Sequence, residues 1–347
     1  MKAMTPYTSL PITNRYILKD ILPLKKPFTV LIEPSSLCNF RCIQCFQSIR
    51  GESYFTRNRG NLSLEAFGKV IRQLEGWKGN IVKVLKLSLY GEPLINGHFC
   101  EMLEIARKAN VAERIETTTN AFLLARNIAD KMVEQQLDYL RVSIYATAQK
   151  RHEEITGVKK GMRIIRENLS VLQDIKRERS SQRPFVSAKM MDTYGDGNER
   201  FLGMYRGIVD EAYIDKPHGW IRNEHVDFIG KYYGERVSMA REDMEKGSTG
   251  RIACPMAFTT MAVRSNGDVS PCCVDYIGGT NLGNIFERDL KEIWESREWY
   301  EFQRMQLEGR KNESPSCSRC SIYRSDYYTR DIIDGFPIEK LITPKGR

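Results

Sequence analysis

Three cysteines near the start of the sequence lie within eight residues, at a spacing that could hold a metal cluster. Cys38, Cys42 and Cys45 form a C-x3-C-x2-C pattern directly after the apolar stretch FTVLIEP. Three thiolates on a cubane iron–sulfur cluster leave one iron open to a small chelating ligand. A zinc site lacking one ligand, or a redox dithiol beside a third cysteine, would use the same residues. Structural zinc takes four ligands, however, and no histidine or fourth cysteine is near this loop.

A second group of cysteines lies toward the C-terminal end, in two parts. Cys254, Gly267 and Cys272 form a C-x12-G-x4-C pattern, and Cys317 and Cys320 form a later C-x2-C pair. Four thiols can close a site completely, around zinc as in a zinc ribbon or around an iron–sulfur cluster. The stretch FTTMAVRSNGDVSPC alternates like a β-hairpin with Asn-Gly as its turn.

Two of the nine cysteines have less defined roles. Cys273 competes with Cys272 for one ligand position, and the G-x4-C spacing favours Cys272. Cys273 is then a bystander or a thiol that faces the substrate. Cys100 lies on a predicted helix, where a single cysteine is typically a small core residue.

Predicted strands and helices alternate over residues 28–216. Six strands, from FTVLIEP to DEAYIDK, predict an α/β fold with a parallel sheet and right-handed crossovers. Sites in such sheets form at the carboxyl ends of the strands. Five further candidate residues are placed there by the pattern: Gly91, Glu92, Pro93, Asn120 and Ser143. Taken singly, each has an ordinary interpretation as a turn, N-cap or strand residue.

The sequence divides into five predicted segments: an N-terminal extension (1–27), the alternating unit (28–216), a bridge (217–250), a cysteine-bearing unit (251–323) and a tail (324–347). The net charge of +9 is spread along the chain, and we interpret it as a solvated basic surface rather than a nucleic-acid track. It also suits an anionic substrate or an acidic electron donor. No secretory signal or long apolar run is present, which predicts a cytoplasmic protein without a membrane span. Clustered cysteines in that reducing compartment indicate metal binding rather than disulfides.

The C-x3-C-x2-C loop after the first strand resembles the signature of the radical S-adenosylmethionine (radical SAM) superfamily. The resemblance implies a partial (β/α)6 barrel and a [4Fe–4S] cluster whose open iron binds the methionyl amine and carboxylate. Reductive cleavage then releases a 5′-deoxyadenosyl radical. YGEP is similar to the family's Gly-Gly-Glu-Pro turn, so Glu92 would accept from the cofactor's ammonium. Asn120 would touch the cofactor, and Ser143 would contact its ribose. Gln44, Tyr90 and Tyr145 depart from the family pattern.

The C-terminal cysteines resemble the twitch domain, the short relative of the SPASM extension. In that family four cysteines fully ligate an auxiliary [4Fe–4S] cluster, here Cys254, Cys272, Cys317 and Cys320. No cysteine follows Cys320, which predicts one auxiliary cluster. The alternative of a structural zinc site stays open at this point.

The cluster inventory is similar to that of the 2-deoxy-scyllo-inosamine dehydrogenase type. That resemblance implies oxidation of a secondary alcohol to a ketone, with the auxiliary cluster as electron acceptor and a carbohydrate or aminocyclitol as substrate. Epimerisation is an alternative, because Cys273 could donate a hydrogen atom. Peptide modification is a further alternative, although we expect the barrel to begin near Phe28, without room for a leader-binding domain. A structural metal-binding protein is the non-enzymatic alternative.

Substrate selection is predicted to come from the bridge and the mouth of the barrel. The stretch HGWIRNEHVDF contains hydrogen-bonding and charged side chains suited to a polyol, amine or phosphate, and Arg222 and His225 are its candidate catalytic residues. The expected partners are a small molecule such as a sugar, aminocyclitol or nucleotide-sugar, and a flavodoxin or ferredoxin reductant. Neither nucleic acid nor a membrane is expected as a partner.

Overall fold

Nine strands form one continuous sheet in the part of the chain that the structure describes. The computed structural model describes residues 16–48, 59–217, 227–246, 250–318, 320–324 and 331–344. The strands are β1 (Thr29–Ile32), β2 (Val82–Lys86), β3 (Ala112–Thr119), β4 (Tyr139–Ile144), β5 (Phe185–Met191), β6 (Glu211–Asp215), β7 (Thr260–Val263), β8 (Asp268–Ser270) and β9 (Gly283–Asn284). Their order across the sheet is β6-β5-β4-β3-β2-β1-β7-β8-β9.

The first six strands are parallel and follow one another in chain order, which confirms the predicted α/β barrel unit. Because β6 lies at the edge of the sheet and pairs only with β5 among the described strands, the barrel is partial. Apolar residues that alternate along the strands, such as Val30, Leu85 and Ile115, are buried against the helices. The opposite face is the inner wall of the barrel, which we call the lumen face.

Twelve α-helices surround the sheet in the described ranges. They are α1 (Leu18–Ile21), α2 (Leu64–Gly76), α3 (Phe99–Ala109), α4 (Arg126–Glu134), α5 (Gln149–Thr156), α6 (Gly161–Glu178), α7 (Gly197–Tyr205), α8 (Phe228–Tyr233), α9 (Val237–Lys246), α10 (Met256–Thr259), α11 (Leu290–Trp294) and α12 (Arg297–Leu307). The hydroxyl of Ser63 accepts from the amide of Ala66 at 3.1 Å, as expected for the N-cap of α2. None of the described helices is long and apolar enough to cross a membrane.

The C-terminal unit is joined to the barrel through its first strand, which the sequence did not predict. β7 pairs in parallel with β1, so the hairpin extends the barrel sheet. β7 and β8 form the predicted antiparallel hairpin, and Gly267 takes the left-handed backbone conformation (φ 89°) that its turn requires. Two helices follow the hairpin: α11 ends at Trp294, and Ser296 caps α12 by accepting from the Trp299 amide.

Candidate active site

The loop after β1 carries Cys38, Cys42 and Cys45 and is held by backbone hydrogen bonds. The amides of Arg41 and Ile43 donate to the carbonyls of Thr156 and Ile155 at 2.9 Å, at the end of α5. The amide of Cys45 donates to the carbonyl of Cys42 at 2.9 Å. Helix α5 was not predicted because QKRHEEIT has little apolar periodicity, yet this helix fixes the position of the cysteine loop.

Backbone amides point at the sulfur atoms in both cysteine groups. The amide two residues after a cysteine donates to Sγ of Cys38 at 3.4 Å, of Cys45 at 3.5 Å and of Cys272 at 3.3 Å. In the same way, the backbone amides of Met256 and Ile322 donate toward Cys254 and Cys320 and partly offset the rise in pKa that burial causes in these thiols. N–H···S bonds stabilise thiolates and tune the potential of iron–sulfur clusters, so this donor set fits a cluster at each site.

Burial keeps these thiols neutral in the absence of a positive partner. Desolvation raises the pKa of Cys45 to about 12 and that of Cys320 to about 11. Thiolates, not thiols, ligate metals, and a bound cation supplies the charge that such a buried site lacks. The chemistry of both thiol groups is therefore that of metal-binding sites.

The Tyr-Gly-Glu-Pro turn after β2 packs directly onto the backbone of the cysteine loop. The amide of Glu92 donates to the carbonyl of Leu37 at 2.8 Å. A Cβ atom on Gly91 would lie 2.2 Å from the carbonyl oxygen of Ser35 and 2.5 Å from that of Leu37. Only glycine fits this contact, which sets the distance between the turn and the loop.

Gly91→Ala is therefore expected to destabilise the protein by about 1–3 kcal/mol, a typical cost of overpacking, and to weaken S-adenosylmethionine binding. Thermal unfolding and equilibrium binding would measure the two effects. Gly97→Ala is the matched control, since a Cβ at that position meets no atom within 4 Å. Equal stability of the two variants would contradict the close packing of the turn.

The Glu92 carboxylate is buried and collects three donors from the chain. It accepts from the Thr119 hydroxyl at 2.5 Å, the Asn120 amide at 2.8 Å and the Leu94 amide at 3.3 Å. A carboxylate offers about four acceptor positions, so one more donor can be accommodated. Despite these bonds, burial raises the pKa of Glu92 to about 7. The Glu92 carboxylate can therefore accept a hydrogen bond from a cationic donor such as an ammonium group.

Binding of S-adenosylmethionine is expected to weaken below pH 7 because Glu92 then takes up a proton. With the pKa of Glu92 raised to about 7, the carboxyl is neutral on the acid side and cannot pair with the ammonium. Each pH unit lowers the affinity by up to about tenfold. Equilibrium binding between pH 5 and 8 would measure this. Glu92→Gln should bind weakly at every pH, and an unchanged pH profile in that variant would contradict the assignment.

Asn120 is tied to the cysteine loop. Its side-chain amide donates to Oδ1 of Asn39 at 2.8 Å, and its own Oδ1 accepts from the Phe122 amide at 3.0 Å. The Nδ2 atom of Asn39 is buried without a hydrogen-bond partner, which fits a cofactor that is not part of the chain. The sequence analysis named Asn120 and missed Asn39. Ser143 lies on the lumen face of β4, opposite Lys189.

The four C-terminal thiols line one cavity of about 90 Å³. Cys254, Cys272, Cys317 and Cys320 all face it, and Cys273 is not among its lining residues. Within the described ranges, no three Cys, His, Asp or Glu side chains are gathered around the position of a single metal ion. A group of thiols spread around a cavity fits a polynuclear cluster better than one zinc ion.

Asp275 holds together the loops that carry these cysteines. Its carboxylate accepts from the Thr280 amide at 2.8 Å, from the Ser316 hydroxyl and from the Arg264 guanidinium at 3.0 Å. The Arg264–Asp275 pair is almost fully buried. Asp275 therefore fixes Cys272 and Cys317 relative to each other.

Aromatic side chains and one carboxylate connect the two cysteine groups. Phe46, next to Cys45, stacks on Tyr276 with ring centroids 5.1 Å apart and contacts the edge of Tyr90 at 5.4 Å. The buried Glu33 carboxylate accepts from the amides of Tyr90 at 3.0 Å and Ser265 at 3.1 Å. Tyr90, which replaces the glycine of the family turn, thus lies between the two sites.

The lumen face carries charged residues that the sequence analysis did not single out. Lys86 and Glu116 form an ion pair across β2 and β3 at 3.3 Å, and Lys189 pairs with Asp215 at 2.7 Å. Arg141 lies over the ring of Tyr139. The available signal was in AERIETTT, where Arg114 and Glu116 are two residues apart on either side of the apolar Ile115.

Of the predicted catalytic residues, only Cys273 lies in the described part of the chain. It is buried near Lys86, whose charge partly offsets the rise in the pKa of the Cys273 thiol that burial causes. Arg222 and His225 lie outside the described residues. The described part of the bridge forms α8 and α9, which the sequence analysis did not predict.

Two family models match the chain. The radical SAM superfamily matches residues 32–187, and the SPASM iron–sulfur cluster-binding domain matches residues 254–321. The "Probable GTP 3',8-cyclase" of Metallosphaera sedula is 34% identical over 122 residues, or 35% of each chain. The S-adenosyl-L-methionine-dependent 2-deoxy-scyllo-inosamine dehydrogenase of Niallia circulans is 23% identical over 117 residues, 34% of this chain and 45% of the relative. These matches thus span less than half of the relatives' own lengths.

Solved structures share the fold over nearly the whole chain. BtrN in complex with AdoMet and 2-DOIA has a TM-score of 0.54 and 17% identity, over 88% of this chain and 97% of BtrN. The enzyme anSMEcpe with bound AdoMet and Cp18Cys peptide has a TM-score of 0.59 and 15% identity, over 91% and 95% of the two chains. The radical SAM domain binds S-adenosylmethionine and a [4Fe–4S] cluster, and the SPASM domain binds auxiliary iron–sulfur clusters. The chain therefore carries a radical SAM domain over residues 32–187 and a C-terminal SPASM domain over residues 254–321.

Proposed function

We propose that this radical SAM enzyme oxidises a secondary alcohol of a small carbohydrate-like or aminocyclitol-like substrate to a ketone. The observation that carries the proposal is the cavity lined by Cys254, Cys272, Cys317 and Cys320. With four thiolates as ligands, an auxiliary cluster has no open position for substrate and serves as an electron acceptor. In the same proposal, the first cluster is held by Cys38, Cys42 and Cys45, and S-adenosylmethionine by Gly91, Glu92, Pro93, Asn120 and Ser143.

Conversion of an alcohol to a ketone removes a hydrogen atom from carbon, a proton from oxygen and one electron. When bound, S-adenosylmethionine and the two clusters supply the hydrogen-atom abstraction and the electron acceptor. The hydroxyl proton is released to water. Burial alone would raise the pKa of Glu116, but the charges of Lys86, Arg114 and Arg141 outweigh it and hold the pKa below its usual value. Glu116 is therefore an ionised lumen carboxylate that balances part of the positive charge of these three residues.

The similarity to a 2-deoxy-scyllo-inosamine dehydrogenase and to BtrN supports this reaction and a small-molecule substrate. The net charge of +9 suits an acidic flavodoxin or ferredoxin as reductant. Epimerisation is the second candidate. It is favoured by Cys273, which lies outside the lining of the cysteine cavity and within the electrostatic influence of Lys86 of the lumen. A peptide substrate is the third, since anSMEcpe binds a peptide.

The test is product analysis in deuterium oxide. Anaerobically reconstituted enzyme would be given S-adenosylmethionine, dithionite and, separately, 2-deoxy-scyllo-inosamine, glucose 6-phosphate or UDP-glucose. We expect a product lacking two hydrogens, trapped by borodeuteride, with one 5′-deoxyadenosine formed per ketone. Solvent deuterium at an inverted carbon without ketone would indicate the epimerase instead.

A further inference from the structure

Charged side chains from three neighbouring strands meet on the lumen face. The strand register pairs Lys86 of β2 with Glu116 of β3, and Arg141 of β4 lies opposite Thr118, two residues beyond Glu116. Arg114 is two residues before Glu116 and therefore points to the same face. We call Lys86, Arg114, Glu116 and Arg141 the lumen cation group.

Positive charge exceeds negative charge within this group. Lys86 and Arg114 both pair with the single carboxylate of Glu116, and the charge of Arg141 acts on the same carboxylate. The Lys189–Asp215 pair nearby is balanced at one charge each. Among these six residues, the excess positive charge therefore comes from the lumen cation group.

Two of the cations, Lys86 and Arg114, are partly exposed to solvent, whereas the carboxylate that they pair with is covered. The side chains of Lys86 and Arg114 are 27% and 35% exposed, whereas that of Glu116 is 6% exposed. Ion pairs with partly exposed cations contribute little to the free energy of unfolding. Open guanidinium and ammonium groups around a covered carboxylate are suited to a further anion, which Arg can bind with two parallel hydrogen bonds.

Strand β3 connects the group to the cofactor turn. Three residues beyond Glu116 on β3, Thr119 donates to Glu92 of that turn. Because a strand rises about 3.3 Å per residue, a substrate held by the group would lie roughly 10 Å from the cofactor turn.

We propose that Lys86, Arg114 and Arg141 bind an anionic group of the substrate, a phosphate or a carboxylate. The inference rests on the proposed function, because it takes the lumen to be the substrate site. It narrows the substrate class to acidic sugars or sugar phosphates. A free aminocyclitol is disfavoured, because its ammonium would be repelled by these cations.

Binding without turnover tests this inference. Reconstituted enzyme with S-adenosylmethionine would be titrated calorimetrically with glucose 6-phosphate, glucuronate, glucose and glucosamine, without reductant. We expect at least one acidic sugar to bind about tenfold or more tightly than glucose, and glucosamine to bind most weakly. Glucose 6-phosphate and glucuronate distinguish a phosphate site from a carboxylate site. Equal binding of all four compounds, or binding of none, would overturn the proposal.

Variants keep the test specific. Lys86→Gln and Arg141→Gln should each lower the affinity for the acidic sugar by about 10- to 100-fold. Lys86→Arg should retain most of that affinity. The matched control is Lys83→Gln, on the outer side of the same strand, where Lys83 pairs with Glu113. If Lys83→Gln lowered the affinity for the acidic sugar as much as Lys86→Gln does, this result would contradict a binding site on the lumen face. Binding of an acidic sugar without its oxidation would count against the proposed reaction and leave the anion site standing.

Discussion

Cys42→Ala is expected to reduce the formation of 5′-deoxyadenosine from S-adenosylmethionine to background. Cys42 is buried in the loop after β1, where its thiol is hydrogen-bonded to Tyr145. Without it, two thiols remain for a cluster that needs three. The iron content should therefore fall from about eight to about four atoms per chain, because one of the two [4Fe–4S] clusters is lost. Anaerobic iron analysis and chromatography of the nucleoside product would measure both effects.

Cys100→Ala is the control for this variant. Cys100 lies on α3, half-buried against the core, and the sequence pattern does not place it among the cluster ligands. It should retain full iron and full cleavage activity. Cleavage at the wild-type rate in Cys42→Ala would contradict the assignment of the loop as the cluster site.

Cys317→Ala is expected to separate cofactor cleavage from substrate oxidation. The Cys317 thiol lines the C-terminal cavity and accepts a hydrogen bond from the Gln306 amide at 3.6 Å. The iron content should again fall to about four, but the loop cluster should persist and still cleave S-adenosylmethionine. Ketone formation should be lost because the electron has no acceptor.

Cys273→Ala distinguishes the two adjacent cysteines. Cys272 lines the cavity and Cys273 does not, so the Cys273 variant should keep about eight irons and the Cys272→Ala variant about four. If the enzyme is instead an epimerase, Cys273→Ala should keep its iron and lose epimer formation. Iron loss in Cys273→Ala with full iron in Cys272→Ala would reverse the assignment.

The strands and the loop chemistry were predictable because they depend on local patterns. The run FTVLIEP is apolar enough for a buried strand, and β1 forms there with three thiols in the loop beyond it. The Asn-Gly turn predicted the β7–β8 hairpin. Each of these features is encoded within fewer than about fifteen residues, which is the range of periodicity arguments.

Contacts between distant segments were not predictable in the same way. The pairing of β7 with β1 joins residues 29–32 to 260–263, and no local pattern encodes that register. Glu33 reads as an ordinary strand-end acid, yet its carboxylate joins the amides of Tyr90 and Ser265. The lumen cation group was not predictable from the sequence, because charged residues on a strand are also typical of a solvent-exposed face. Only the sheet topology shows which face of each strand is enclosed by the barrel.

A single-turnover experiment tests most directly whether the auxiliary cluster accepts an electron during oxidation of the alcohol. Enzyme with a once-reduced loop cluster would be mixed with S-adenosylmethionine and an alcohol substrate, and the ketone and the reduced-cluster signal in electron paramagnetic resonance would be quantified together. We expect the signal of a reduced auxiliary cluster to grow in proportion to the ketone in wild type, and neither to form in Cys317→Ala. Ketone formed at the wild-type level in Cys317→Ala would contradict electron transfer to the auxiliary cluster.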